Sequence, residues 1–217
     1  MDEKYIAHIG TDESGKGDFF GPLVIAGVLV DEKSAELFKS LGIKDSKTIT
    51  DKRILEMSEH IKKHSAFSVI AIGNARYNEL YKNFANLNKL LALGHAKVIE
   101  NILEKNDCEY ALSDKFGDES LILNALQTKG RGIALKQMVR AESDIAVAAA
   151  SVLARATFVQ KMAKMEQDFG CKFPKGCSSL VKTAAAEFIS QHGPNRLNEV
   201  CKTHFKTYKE VLQLERR

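Results

Sequence analysis

The chain has 217 residues, 44% of them apolar and 28% charged, with three prolines and 14 glycines. This ordinary globular usage excludes a disordered or collagen-like chain, and no apolar run approaches the roughly 18 residues of a membrane span. The formal net charge is +4, but residues 155–217 carry net +6 and the preceding residues net −2. A basic C-terminal part on a slightly acidic body points to a polyanionic partner.

The start, Met1-Asp2-Glu3-Lys4, lacks the basic-then-apolar layout of a secretory signal, so the expected location is cytoplasmic. Cys108, Cys171, Cys177 and Cys201 show no C-x2-C spacing and read as reduced thiols rather than zinc ligands. The six histidines are scattered. His60 and His64 lie one helical turn apart without an H-E-x-x-H pattern and read as surface residues.

In chain order, Tyr5 to Asp12 reads as a strand, and Gly15 to Pro22 turns the chain. Leu23 to Val30 (LVIAGVLV) is a buried strand that must pair antiparallel with the first, because the connection cannot hold a crossover helix. Ser34–Leu41 predicts a short helix. Thr50 opens a second, with Lys62, Lys63 and His64 in its last turn. Ala66–Ile72 is a third strand, followed by one long helical zone from Ala75 to Lys105. Tyr110–Ser113 is a fourth strand ending on Asp114. A helix near Glu119–Gln127 then leads to a fifth strand around Ile133–Gln137. An alanine-rich helix spans Asp144–Met165, and helices at Ser179–His192 and around Arg196–Glu210 flank a Gly193-Pro194 break. The expected fold is a single α/β domain over residues 1–217, a five-stranded mixed sheet flanked by helices with additional C-terminal helices.

Gly10-Thr11-Asp12-Glu13-Ser14-Gly15-Lys16 fits the G-x-x-x-x-G-K part of a phosphate-binding loop. Gly17 stands where the magnesium-binding hydroxyl belongs, two acids sit inside the loop, and a strand rather than a helix follows. A nucleotide-hydrolysing loop is excluded on these grounds.

The acids carry more. Asp12 and Glu13 end one apolar strand, Asp114 ends another, and Glu142 and Asp144 lie between a strand and a helix. Taken singly, each is an acid at a strand end or helix start. Sites in open α/β sheets gather at strand ends, so neighbouring strands would bring these carboxylates together. Such a cluster repels itself unless hard divalent cations neutralise it. A pair of such ions suits in-line phosphodiester displacement.

The stretch GTDESGKGDFFGPL (Gly10 to Leu23) resembles the opening motif of type 2 ribonucleases H, specifically ribonuclease HIII. Ser14 and Lys16 stand where ribonuclease HII usually has alanine and arginine. GIKDSK, YNELY, NLNKLLALGH, SDKFG, AESDIAVAAAS, FPKG and THFKT follow in collinear order over nearly the whole chain. The resemblance implies a ribonuclease H fold and hydrolysis of the RNA strand of RNA/DNA hybrids, leaving 5′-phosphate and 3′-hydroxyl ends. The alternative is ribonuclease HII-type incision at single embedded ribonucleotides. It further implies two Mg²⁺ or Mn²⁺ ions at Asp12, Glu13, Asp114 and Glu142, with Asp144 as the other choice for the fourth acid. Ser14, Gly15, Lys16 and Gly17 would read ribose 2′-hydroxyls, and Lys47 and Lys175 would meet phosphates. The expected state is a monomer needing no membrane and no organic cofactor. The family's usual N-terminal substrate-binding domain has no room before Gly10, which implies a shortened chain or a naturally short member.

Overall fold

A computed structural model describes residues 5–44, 46 and 49–214. The elements are β1 (His8–Ser14), β2 (Leu23–Val30), α1 (Glu32–Ser40), α2 (Asp51–His64), β3 (Phe67–Ile72), α3 (Asn74–Phe84), α4 (Leu87–Leu103), β4 (Tyr110–Asp114), α5 (Ser120–Ala125), β5 (Ala134–Met138), α6 (Ile145–Phe169), α7 (Ser179–His192) and α8 (Lys206–Leu214). The five strands form one sheet in the order β3-β2-β1-β4-β5. β4 pairs in parallel with both β1 and β5. The expected mixed five-stranded sheet with flanking helices is therefore present.

Most boundaries fall within two residues of the sequence reading, because caps and turn residues mark them. Asp31 and Ser34 close a capping box on α1, and Thr50 accepts a hydrogen bond from Arg53 N at the start of α2. The first strand starts later than expected, at His8. The single helical zone from Ala75 to Lys105 is in fact two helices. Ala85 adopts a left-handed conformation (φ 49°) that ends α3, and Asn86 caps α4 by accepting from Lys89 N. The last predicted helix is likewise a 3₁₀ segment, Pro194–Glu199, followed by α8.

The chain divides into two compact units. The first comprises residues up to Glu13, Ile25–Ile70 and Asn86–Ala156. Its core packs Ile9, Ala111 and Leu135 of the sheet against Ala92, Ala96, Ile99 and Ile102 of α4 and Ile122 of α5. On the opposite face, Leu112 meets Ala141 and Val147. Gly10 is required there: a Cβ would fall 2.1 Å from the carbonyl carbon of Ala146, so only glycine lets α6 lie this close to β1. The alanines at 146, 148, 149, 150 and 154 are fully or almost fully buried. By length and composition α6 could cross a membrane, but 72% of its most apolar window is buried within the protein, so packing accounts for its apolarity.

The second unit comprises Ser14–Val24, Ala71–Ala85 and the residues from Thr157 on. Phe19 and Phe20 anchor its core. Phe20 packs on Phe173 (ring centroids 4.9 Å apart), and Phe173 on Phe188 (5.9 Å). Residues 19–21 are held by main-chain bonds to 200–202: Lys202 N donates to Phe19 O, and Gly21 N donates to Val200 O.

Candidate acidic active site

The parallel register of β1 and β4 sets Thr11 opposite Ser113, which places Asp12 and Asp114 one step further along adjacent strands. Side chains alternate across a strand, so Asp12 shares the α6 face with Gly10, whereas Glu13 shares the α4 face with Thr11. The contacts follow this division. Asp12 accepts hydrogen bonds from the Ser151 hydroxyl of α6 and, at 2.8 Å, from Glu13 N. Glu13 accepts from Nε2 of His95 on α4 at 3.2 Å, and Thr11 Oγ1 lies 2.8 Å from His95 Nδ1. Asp114 Oδ1 accepts from Ala141 N at 3.2 Å, which ties the end of β4 to the 3₁₀ turn Ala141–Ser143 that carries Glu142.

The electrostatics set Asp12 apart. Burial pushes its pKa up to about 7, and the neighbouring charges of Glu13 and Asp114 push in the same direction against the two hydrogen bonds. Asp12 therefore feels two of the other expected acids, and Ala141 N links the turn of Glu142 to Asp114. Among the described residues, no group of three or more His, Cys, Asp or Glu side chains closes into a ready-made cation cage. The donor set nonetheless fits a hard divalent ion: it consists of carboxylate oxygens, and the acid at its centre is destabilised by like charge that a cation would relieve.

Asp144, the other choice for the fourth acid, is occupied. Its Oδ1 accepts from Ala146 N (2.9 Å) and Val147 N (3.1 Å), capping α6, and both carboxylate oxygens lie 3.0 Å from His8 Nε2. Burial would raise its pKa, but the His8 contact and the helix N–H groups outweigh that and hold it below the usual carboxylate value. Glu142, the first choice, stands on the 3₁₀ turn Ala141–Ser143.

A sequence model of the ribonuclease HII family matches residues 9–208. Ribonuclease HIII of Protochlamydia amoebophila is 44% identical over 205 residues, which cover 94% of this chain and 68% of that protein. Ribonuclease HIII of Chlamydia felis is 46% identical over 206 residues, covering 94% and 69%. The chain belongs to the type 2 ribonuclease H family, on its ribonuclease HIII branch. Among solved structures, Bst-RNase HIII in complex with Mn²⁺ superposes with a TM-score of 0.90 at 30% identity, over 100% of this chain and 72% of that one. Ribonuclease H2 of Pyrococcus horikoshii, at 23% identity and a TM-score of 0.82 over 98% of this chain and 100% of that one, shares the fold.

Ser14, Gly15, Lys16, Gly17 and Lys175, also expected from the ribonuclease HIII resemblance, fall in the second unit. Gly15 has φ +86°, a conformation strained for other residues, and a Cβ there would come 2.2 Å from Pro22 O. Asp18 N donates to Gly15 O at 3.3 Å, closing a turn that presents Lys16 and Gly17. The Pro174-Lys175-Gly176 segment is fastened to this turn: Gly176 N donates to Asp18 Oδ1 (2.6 Å) and Phe19 N donates to Gly176 O (2.9 Å). Lys16 and Lys175 therefore stand on two bonded segments, with Lys175 exposed. Ser14 ends β1, directly after the two acids in the chain. Lys47 lies outside the described residues.

Three polar residues escaped the sequence reading. His95 was grouped with scattered histidines, yet it is fully buried and stacked on Phe116 at 4.8 Å. The signal was present: Leu91, His95, Val98 and Ile102 share the apolar face of α4 at helical spacing. Ser151 lies in an alanine-rich stretch that gives it no local mark. Its hydroxyl contacts both Asp12 and Ser46 Oγ (2.7 Å), so it links the D-S-K motif to the acids. Lys202 is fully buried in the second unit, although lysine is almost always a surface residue.

Proposed function

We propose that the protein is a ribonuclease HIII-type endonuclease that hydrolyses the RNA strand of RNA/DNA hybrids, leaving 5′-phosphate and 3′-hydroxyl ends. The observation that carries this reading is the strain on Asp12, from burial and from the charges of Glu13 and Asp114 at the ends of adjacent strands, in a chain of this family. Asp12, Glu13, Asp114 and Glu142 would hold magnesium or manganese, as two ions by family resemblance, which would supply activation of the attacking water and charge for the leaving 3′ oxygen.

The chain's own residues do the rest. Ser151 and the Glu13 amide fix the Asp12 carboxylate, His95 fixes Glu13, and Ala141 N fixes Asp114. These three acids thus meet the substrate in a set orientation, at little cost in ordering. The Gly15-Lys16-Gly17 turn offers closely approachable main chain to a ribose, and the 2′-hydroxyl is what distinguishes RNA there. Lys16 and Lys175 supply charge for phosphates. The C-terminal excess of +6 supports a polyanionic duplex as partner. A cytoplasmic monomer remains part of the proposal.

The test compares a labelled RNA/DNA hybrid with all-RNA and all-DNA duplexes of the same sequence, in Mg²⁺, Mn²⁺ and EDTA. Cleavage of the hybrid alone, abolished by chelation, is expected. Equal cleavage of the DNA duplex, or turnover in EDTA, would refute the assignment. A duplex with one embedded ribonucleotide should be cut poorly, and efficient nicking there would favour the ribonuclease HII type.

A further inference from the structure

Lys202 carries a charge that the chemistry above does not use. It is fully buried, and burial pulls its pKa down to about 8, only partly opposed by the charge of Asp18. Its ammonium donates to two main-chain carbonyls, Asp18 O at 2.8 Å and Gly21 O at 2.7 Å, and lies 5.5 Å from the Tyr77 ring centroid. The Asp18 carboxylate points elsewhere, accepting from Gly176 N. An apolar side chain of similar length would fill this space without the desolvation cost of an ammonium. A buried lysine here therefore calls for a role that packing alone does not give.

The two carbonyls supply one. They flank Phe19 and Phe20, which are anchored in the core, and Asp18 also closes the Gly15–Asp18 turn. One Nζ bonded to both fixes the separation of residues 18 and 21 and, through Asp18, the base of that turn. Asn74 Nδ2 adds a second donor to Gly21 O at 2.9 Å. At the tip, Gly17 is exposed, and a Cβ there would meet nothing within 4 Å. The arrangement is a rigid base under an open tip.

We propose that Lys202 is a positioning residue for RNA recognition: its buried ammonium clamps the Asp18 and Gly21 carbonyls so that the Gly15-Lys16-Gly17 main chain is held at the distance a ribose 2′-hydroxyl requires. This rests on the turn being the ribose reader, as proposed above. Displacements of about 1 Å in a positioning group can cost on the order of 100-fold, so a loosened base should erase discrimination before it erases binding.

The experiment measures affinity in EDTA by fluorescence anisotropy, for an RNA/DNA hybrid and for a DNA duplex of the same sequence. The wild type should prefer the hybrid. Lys202→Met should cut that preference by roughly 10-fold or more, with DNA-duplex affinity and calorimetric Mn²⁺ uptake unchanged. Asn74→Ala should produce a smaller loss of the same kind, and it decides the matter if Lys202→Met does not fold cooperatively. A merely structural role would lower both affinities together with the folded fraction, and that result, or an unchanged preference in the folded variants, would overturn the proposal. Gly17→Val separates the two layers. If it abolishes hybrid preference while Lys202→Met and Asn74→Ala keep it, the turn reads ribose and Lys202 does not position it. If it changes nothing, the turn is not the reader and the proposal falls with it.

Discussion

Asp12 shows most clearly what a strained carboxylate costs in stability. Its carboxyl is raised to about 7 by burial and by Glu13 and Asp114, so the folded state holds the proton more tightly than the unfolded chain does. The stabilising contribution of this group is complete below its ordinary value of 3.8 and is lost as pH rises through about 7. Asp12→Asn should therefore abolish turnover yet raise the thermal midpoint at pH 8 in EDTA by a few degrees. A midpoint below wild type would show that the Asp12 charge is not strained. Glu13 differs because His95 donates to it from a fully buried position. Neighbours in sequence thus occupy opposite faces of β1, one braced by α6 and the other by α4.

At the scale of elements, the N-terminus of α6 organises the acidic edge. Asp144 caps it and grips His8, whose Nδ1 also donates to Ile6 O at 2.8 Å. With both ring nitrogens donating, the bonded form is the imidazolium. Burial alone would lower the His8 pKa, but Asp144 and the Ile6 carbonyl outweigh it and raise it above 6.5. The pair's stabilisation is present below 6.5 and fades as pH rises through the higher folded value; at the acid end it fades as pH falls through the depressed value of Asp144. His8→Ala should destabilise most near about pH 5 and much less above about pH 8, as read by urea melts. A pH-independent difference would rule out the ion pair.

The same elements show what the sequence could tell. The strands of the sheet were legible as apolar runs bounded by turn residues, and the acids as strand-end residues. The split between α3 and α4 was not, because alanine is the best helix former and Ala85 gives no sign of its left-handed backbone. Asp144 stands directly before an apolar helix, where a capping acid belongs. Its bond to His8 spans 136 residues in sequence and has no local signature. Lys202 stayed hidden for the same reason, since its partners Asp18 and Gly21 lie far along the chain, whereas the spacing of α4 does mark His95 as buried.

At the scale of the molecule, chemistry and charge are carried by different parts of the sequence. The four acids lie in the first unit, and the net +6 lies in residues 155–217, most of them in the second. Hybrid affinity should therefore fall steeply with salt. Lys16→Ala should flatten the slope of log affinity against log salt by about one unit, and an unchanged slope would remove Lys16 from the phosphate contacts. The most direct measurement is anomalous diffraction from a crystal of the wild-type protein soaked in Mn²⁺. Peaks within coordination distance of Asp12 and Asp114 are expected, disappearing in Asp114→Asn. A map empty at those carboxylates, from a crystal whose enzyme cleaves hybrid in the same Mn²⁺ buffer, would contradict the assignment of the active site.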